Sequence, residues 1–74
     1  MSKENIKTIK ITSEYITLGQ FLKFTNVISN GGEAKFFIAN NKIFLNGQQI
    51  FERGKKLRSH DQININDRLF FEIE

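Results

Sequence analysis

The sequence predicts an α+β fold: two short helices on one face of a small, mostly antiparallel sheet of about four to five strands. Three observations carry that expectation. The chain opens on a β-branched alternating segment, continues through two apolar stripes at helical spacing, and finishes in short alternating runs punctuated by turn residues. Helices and strands in separate blocks indicate α+β rather than a parallel α/β sheet.

Each element has its own signature. Ile6, Ile9 and Ile11 with Thr8 and Thr12 predict an N-terminal strand over 6–12. From Thr17, a suitable N-cap, the period changes: Leu18, Phe21, Leu22 and Thr25 fall at i, i+3, i+4 and i+7, the stripe of a short helix. Gly19, Gln20 and Lys23 take the opposite face, and Phe24 the stripe's edge. Val27 and Ile28 connect to a break at Ser29-Asn30-Gly31-Gly32. Asn30 and Glu33 then have the spacing of a capping pair, and Ala34, Phe37 and Ile38 form the core stripe of a second helix. Phe36, roughly 200° from Ala34 at about 100° per residue, is expected to point away from that core.

Asn40-Asn41 closes the second helix, and Ile43-Phe44-Leu45 reads as a strand. Asn46-Gly47 is the strongest hairpin signal in the chain, with the return strand expected over 48–51. Arg53 to Arg58 reads as a basic loop around Gly54 with Leu57 as its one apolar anchor. Ser59-His60-Asp61 is a turn, Gln62 to Ile65 alternates as a strand, and Asn66-Asp67 turns into a last strand over 68–73. The 74 residues are read as one domain, 1–74, with no repeat or linker.

Composition narrows the function. A chain this short buries only about 60% of its unfolded surface, so its stability margin is small. With no Cys and one His, no tetrahedral Cys/His zinc site can be assembled, and apolar packing by eleven Ile and eight Phe must serve instead. No apolar run is long enough to span a membrane, and Met1 to Lys10 alternates charge with Ile where a secretion signal would be continuously apolar. A cytoplasmic protein is expected, with no membrane partner, no small-molecule substrate and no cofactor.

No catalytic constellation is expected. Ser59-His60-Asp61 puts triad residue types on adjacent positions, where side chains point apart instead of converging at about 3 Å. Gly47 to Lys55 departs from a phosphate loop in glycine spacing, and Lys56 stands where a magnesium-binding Ser or Thr belongs. Carboxylates are scattered singly, leaving no candidate pair for glycosidase or metal chemistry.

The formal net charge of +3 conceals a polarised chain. Residues 1–22 carry +1 and residues 59–74 carry −3. Residues 23–58, with Lys23, Lys35, Lys42, Arg53, Lys55, Lys56 and Arg58 against Glu33 and Glu52, carry +5. A basic middle segment suits an anionic partner. The candidate binding set is therefore these seven cations, together with Gly31 and Gly32, whose amides open the second helix, and Phe36 as an outward aromatic able to stack on an unpaired base.

Over about 17–65 the sequence resembles the RNA-binding domain named for ribosomal small-subunit protein S-four, the αL motif. The resemblance rests on Leu18, Glu33-Ala34-Lys35, Asn46-Gly47 and Asp61-Gln62-Ile63. It is most similar to the small stand-alone bacterial members, the YaaA/YbcJ-like proteins, through Thr17 to Lys23, Gly31 to Lys35 and Arg53 to Leu57. The resemblance implies two helices feeding a small curved sheet, and RNA binding. Larger relatives usually carry Arg and Asp beside the helix-one Leu, where this chain has Thr17 and Gly19, so those cationic contacts do not transfer. The expected function is a non-catalytic monomer that grips structured RNA through backbone phosphates, with ribosomal RNA or the ribosome as the candidate partner. The alternative is a protein-interaction module offering the same basic face to an acidic partner. Duplex DNA reading by the second helix is disfavoured, because its exposed face offers few side chains that reach base edges.

Overall fold

A computed structural model describes residues 6–74. Its elements in chain order are strand β1 (Ile6–Ile9), strand β2 (Ile16–Thr17), helix α1 (Leu18–Phe24), a 3-10 turn (Gly31–Glu33), helix α2 (Ala34–Asn40), and strands β3 (Ile43–Leu45), β4 (Gln48–Gln49), β5 (Lys56–Leu57), β6 (Gln62–Ile65) and β7 (Leu69–Ile73). The main sheet has the order β1-β7-β6-β3-β4, and β2 pairs with β5 in a separate two-stranded sheet. All pairings are antiparallel except β1 with β7. The predicted α+β class is the observed one.

Alternation decides which sheet face is buried. Ile63 and Ile65 of β6 lie level with Phe71 and Leu69 of β7 and with Leu45 and Ile43 of β3, which puts them on one face. Onto that face pack Leu18, Phe21 and Leu22 of α1 and Ala34 and Ile38 of α2, joined by Ile28, Leu57 and Ile73. Phe21 meets Phe71 edge-on, ring centroids 5.1 Å apart and planes at 90°, the favourable orientation for two ring quadrupoles. Ile28 is more than a connector: it is part of the buried cluster.

The helix ends follow their caps. The Thr17 hydroxyl accepts from the Gln20 amide while the Gln20 side chain accepts from the Thr17 amide, a reciprocal capping box. Among the described residues, left-handed backbone at positions other than glycine falls at Asn26, Asn46, His60, Asn66 and Asp67. Four of the five are Asn or Asp, the types that tolerate this region best after glycine.

Four boundaries differ from those the sequence suggests, each for a physical reason. β1 stops at Ile9 rather than residue 12: its carbonyl accepts from the Glu74 amide, and the chain then bends through Thr12 to Glu14 into β2. β4 ends at Gln49 rather than residue 51, because after the Ile50 amide bonds to the Ile43 carbonyl the chain turns toward α1. The basic stretch is not all loop: Lys56 and Leu57 pair with Thr17 and Ile16 as Leu57 inserts into the core. The last strand opens at Leu69, since the Arg68 amide closes the preceding turn onto the Ile65 carbonyl.

Candidate functional site

The basic segment is positioned by its backbone. The first N–H groups of a helix have no partner inside it. In α1 the Leu18 amide donates to the Lys55 carbonyl at 2.8 Å and the Gly19 amide to the Arg53 carbonyl at 2.8 Å. The loop thus satisfies the helix, and the helix fixes the loop. The loop closes on itself through the Lys55 amide to the Glu52 carbonyl at 3.0 Å. Such an approach needs a small residue on α1. A Cβ built on Gly19 would lie 3.5 Å from the Arg53 carbonyl oxygen and 3.6 Å from the Cβ atoms of Ala34 and Arg53. Gly19 therefore sits at the junction of both helices and the basic loop.

The far end of β5 is pinned by a side-chain network. Asp61 accepts from the Arg58 amide at 2.8 Å through one carboxylate oxygen and from the Asn46 side-chain amide at 3.1 Å through the other. Asn46 in turn accepts from the Gln62 amide at 2.9 Å, and its own amide donates to the Gln62 carbonyl at 2.8 Å. The hairpin turn and the Asp61-Gln62-Ile63 stretch, distant in sequence, are two halves of one clamp that ends beside Arg58.

The cations fall into groups. Lys35 and Arg53 line a cleft of about 470 Å³ with Phe51, Ile38 and Ala39. Arg53 also borders a neighbouring cleft of about 440 Å³ that includes Thr17, Gln20, Lys23, Gly31 and Gly54. Lys56 and Arg58 form a second group over Tyr15, the Lys56 ammonium 4.8 Å and the Arg58 guanidinium 5.7 Å from its ring centroid. Attraction to the ring face holds two like charges side by side. Lys55 is exposed between the groups. Lys42 stands apart at the start of β3, exchanging bonds with Asn66: its amide donates to the Asn66 side chain, and its carbonyl accepts from the Asn66 amide.

Two expectations about the second helix compete, and the cap prevails. The Gly32 amide donates to the Asn30 side chain at 2.9 Å, while the Glu33 carboxylate accepts from the Ser29 amide at 3.1 Å and the Asn30 side chain at 3.4 Å. The chain's own acceptor occupies Gly32, so that amide is not available to a phosphate, and a carboxylate already lies beside it. Gly31 is exposed and has nothing within 4 Å of its Cβ direction. Phe36 points outward at 74% exposure, as its angular position implies, but lies outside both clefts.

Two aromatic residues were not legible as site members. Tyr15 carries no periodic signal; its role is visible only once β2 and β5 pair beneath the cations. Phe51 looks like the end of a strand, yet it is 68% exposed and faces Lys35 and Arg53 across their shared cleft. Its only sequence cue is that it stands two positions before Arg53, where the basic run begins.

Among the described residues no group of three or more His, Cys, Asp or Glu could hold a metal, and no helix is long and apolar enough to cross a membrane. The fold is a small α+β platform on which two helix flanks and one tethered loop line two clefts that share Arg53. The S4 domain model matches residues 9–72, and the chain belongs to the S4 domain family. It is similar to the probable ribosome maturation protein RlbA of Bacillus subtilis (strain 168), with 44% identity over 57 residues, covering 77% of this chain and 80% of that protein.

Proposed function

We propose that this chain is a non-catalytic cytoplasmic RNA-binding protein that grips structured RNA, ribosomal RNA in particular, through phosphate contacts. Its role lies in RNA binding or ribosome maturation, in keeping with the S4 family and with the name carried by the Bacillus relative. The observation that carries the reading is the tether: α1 donates its first two amides to the carbonyls of Lys55 and Arg53, holding a cationic loop against the helices. A loop whose backbone is already held loses less conformational entropy on binding than a free one.

Lys23, Lys35 and Arg53 would contact one stretch of phosphate backbone, and Lys55, Lys56 and Arg58 an adjacent one. Gly31 would allow close approach of the backbone between them. Lys42, at the start of β3 beside the Asn66 turn, would reach only a large RNA. If four or five cations meet phosphates, the logarithm of affinity should fall against the logarithm of salt concentration with a slope of about −3 to −4. Filter binding to a ribosomal RNA hairpin measures this directly. Weak binding without salt dependence would overturn the reading and favour an acidic protein partner on the same face.

A further inference from the structure

The cleft beneath Phe51 has no part in a pure phosphate grip. Phosphate recognition needs donors and charge, whereas three of the residues lining this cleft, Ile38, Ala39 and Phe51, are apolar, with Lys35 and Arg53 beside them. Resting on the proposed RNA binding, we infer that it receives one unpaired nucleotide, the base stacking on Phe51 while Lys35 and Arg53 hold the phosphates on either side.

The chemistry of the lining is selective. An apolar lining with two cations complements a flat ring with π faces joined to anions, which describes a nucleotide. A base offers a π face whatever its identity, so the ring of Phe51 accepts it without sequence preference. The volume of about 470 Å³ lies within the range of small-ligand pockets and is roomy enough for a single nucleotide. Arg53 also borders the cleft lined by Lys23 and Gly31. A strand of RNA can therefore run its backbone past Lys23, cross at Arg53 and turn one base under Phe51. A fully paired helix cannot do this, since its bases are stacked inside. The preferred RNA is then one with a bulge, loop or frayed end, the features by which proteins commonly recognise RNA.

Phe36 is the rival aromatic. It is the more exposed of the two, but it lies outside both clefts. Stacking on Phe36 would leave the base's other face in water and its phosphates without the Arg53 contact.

The test uses an RNA hairpin with a fluorescent purine analogue in a single-nucleotide bulge, and a second hairpin of equal length with the analogue paired. Wild type, Phe51→Ala, Phe51→Leu and Phe36→Ala are titrated against both. Phe51 is exposed, so its substitutions spare the core, and Leu retains apolar area without a π face. The expected result is a change in analogue fluorescence on binding the bulge that both Phe51 variants abolish and Phe36→Ala retains. Affinity for the bulge should fall about five- to thirty-fold in Phe51→Ala, with affinity for the paired hairpin and the salt slope unchanged. Equal binding of the bulge by wild type and Phe51→Ala overturns the inference, as does loss of the signal in Phe36→Ala alone. Salt-dependent binding of both hairpins without discrimination by Phe51 removes this inference and leaves the proposed function standing. Failure to bind either hairpin removes both.

Discussion

Gly19 offers a test of how the basic loop is held. Its Cβ direction meets a backbone carbonyl at 3.5 Å and two Cβ atoms at 3.6 Å, all ordinary van der Waals separations. Alanine should therefore fit, and because Gly19 lies in the first turn of α1 its better helix propensity should yield a gain of about 0.5 kcal/mol. Valine should not fit. Its two γ carbons extend about 1.5 Å further, and the nearest neighbour is the carbonyl that accepts the Gly19 amide. That oxygen cannot retreat without losing the bond that anchors Arg53. Overpacking of this kind costs about 1–3 kcal/mol, and the stiff branched side chain adds a few tenths more. For a domain of this size about 1 kcal/mol moves the melting temperature by about 4–8 °C. Thermal denaturation followed by circular dichroism should place Gly19→Val on the order of 10 °C below Gly19→Ala. Its RNA affinity, measured well below melting, should be lower as Arg53 and Lys55 drift from their positions. Equal melting temperatures for the two variants would refute the tether as the device that positions the loop.

The remaining predictions concern separate parts of the same face. Asp61→Ala removes acceptors from the Arg58 amide and the Asn46 side chain and should cost about 1–3 kcal/mol in urea denaturation, more than Asp67→Ala at the neighbouring turn. Tyr15→Leu keeps apolar cover but removes the ring beneath Lys56 and Arg58; RNA affinity should fall about two- to fivefold, with the salt slope intact because both charges remain. Phe21→Ala opens a cavity at the contact with Phe71 and should cost about 3–5 kcal/mol, a large part of the roughly 4–11 kcal/mol available to a chain of this length, so the variant should be partly unfolded at physiological temperature by circular dichroism.

The legible parts of the fold are those whose information is local. Leu18, Phe21 and Leu22 define α1 by spacing alone, and all three are fully buried. Asn46-Gly47 defines its hairpin because both residues take left-handed backbone, which few other pairs accept. The pairing of β2 with β5 is illegible for the opposite reason. Two residues carry no period, and Ile16 pairs with Leu57 across a stretch of sequence that contains both helices. The same holds for the clamp: Asn46 and Asp61 are each recognisable as motif residues, but their mutual bond is a product of β3 pairing with β6.

Site residues divide along this line as well. Charge is additive in sequence, so the basic segment was visible without a structure. Its partition into a cleft group and a Tyr15 group depends on which way Lys56 and Leu57 face in β5, and a loop assignment hides that. Gly31-Gly32 is the instructive case. A capping pair and an anion site call for the same amides, and sequence cannot say which demand is met; the Asn30 side chain meets it for Gly32.

If the tethered cations bind RNA phosphates, the salt dependence of binding must change when they are removed. Wild type and a Lys35→Gln, Arg53→Gln, Lys55→Gln triple variant would be titrated against one ribosomal RNA hairpin over a range of potassium concentrations. The wild-type slope should be about −3 to −4 and become shallower by about 2 to 3 in the triple variant, with the two binding curves converging at high salt. Identical slopes for the two proteins, with the variant still folded, would contradict phosphate binding by these cations.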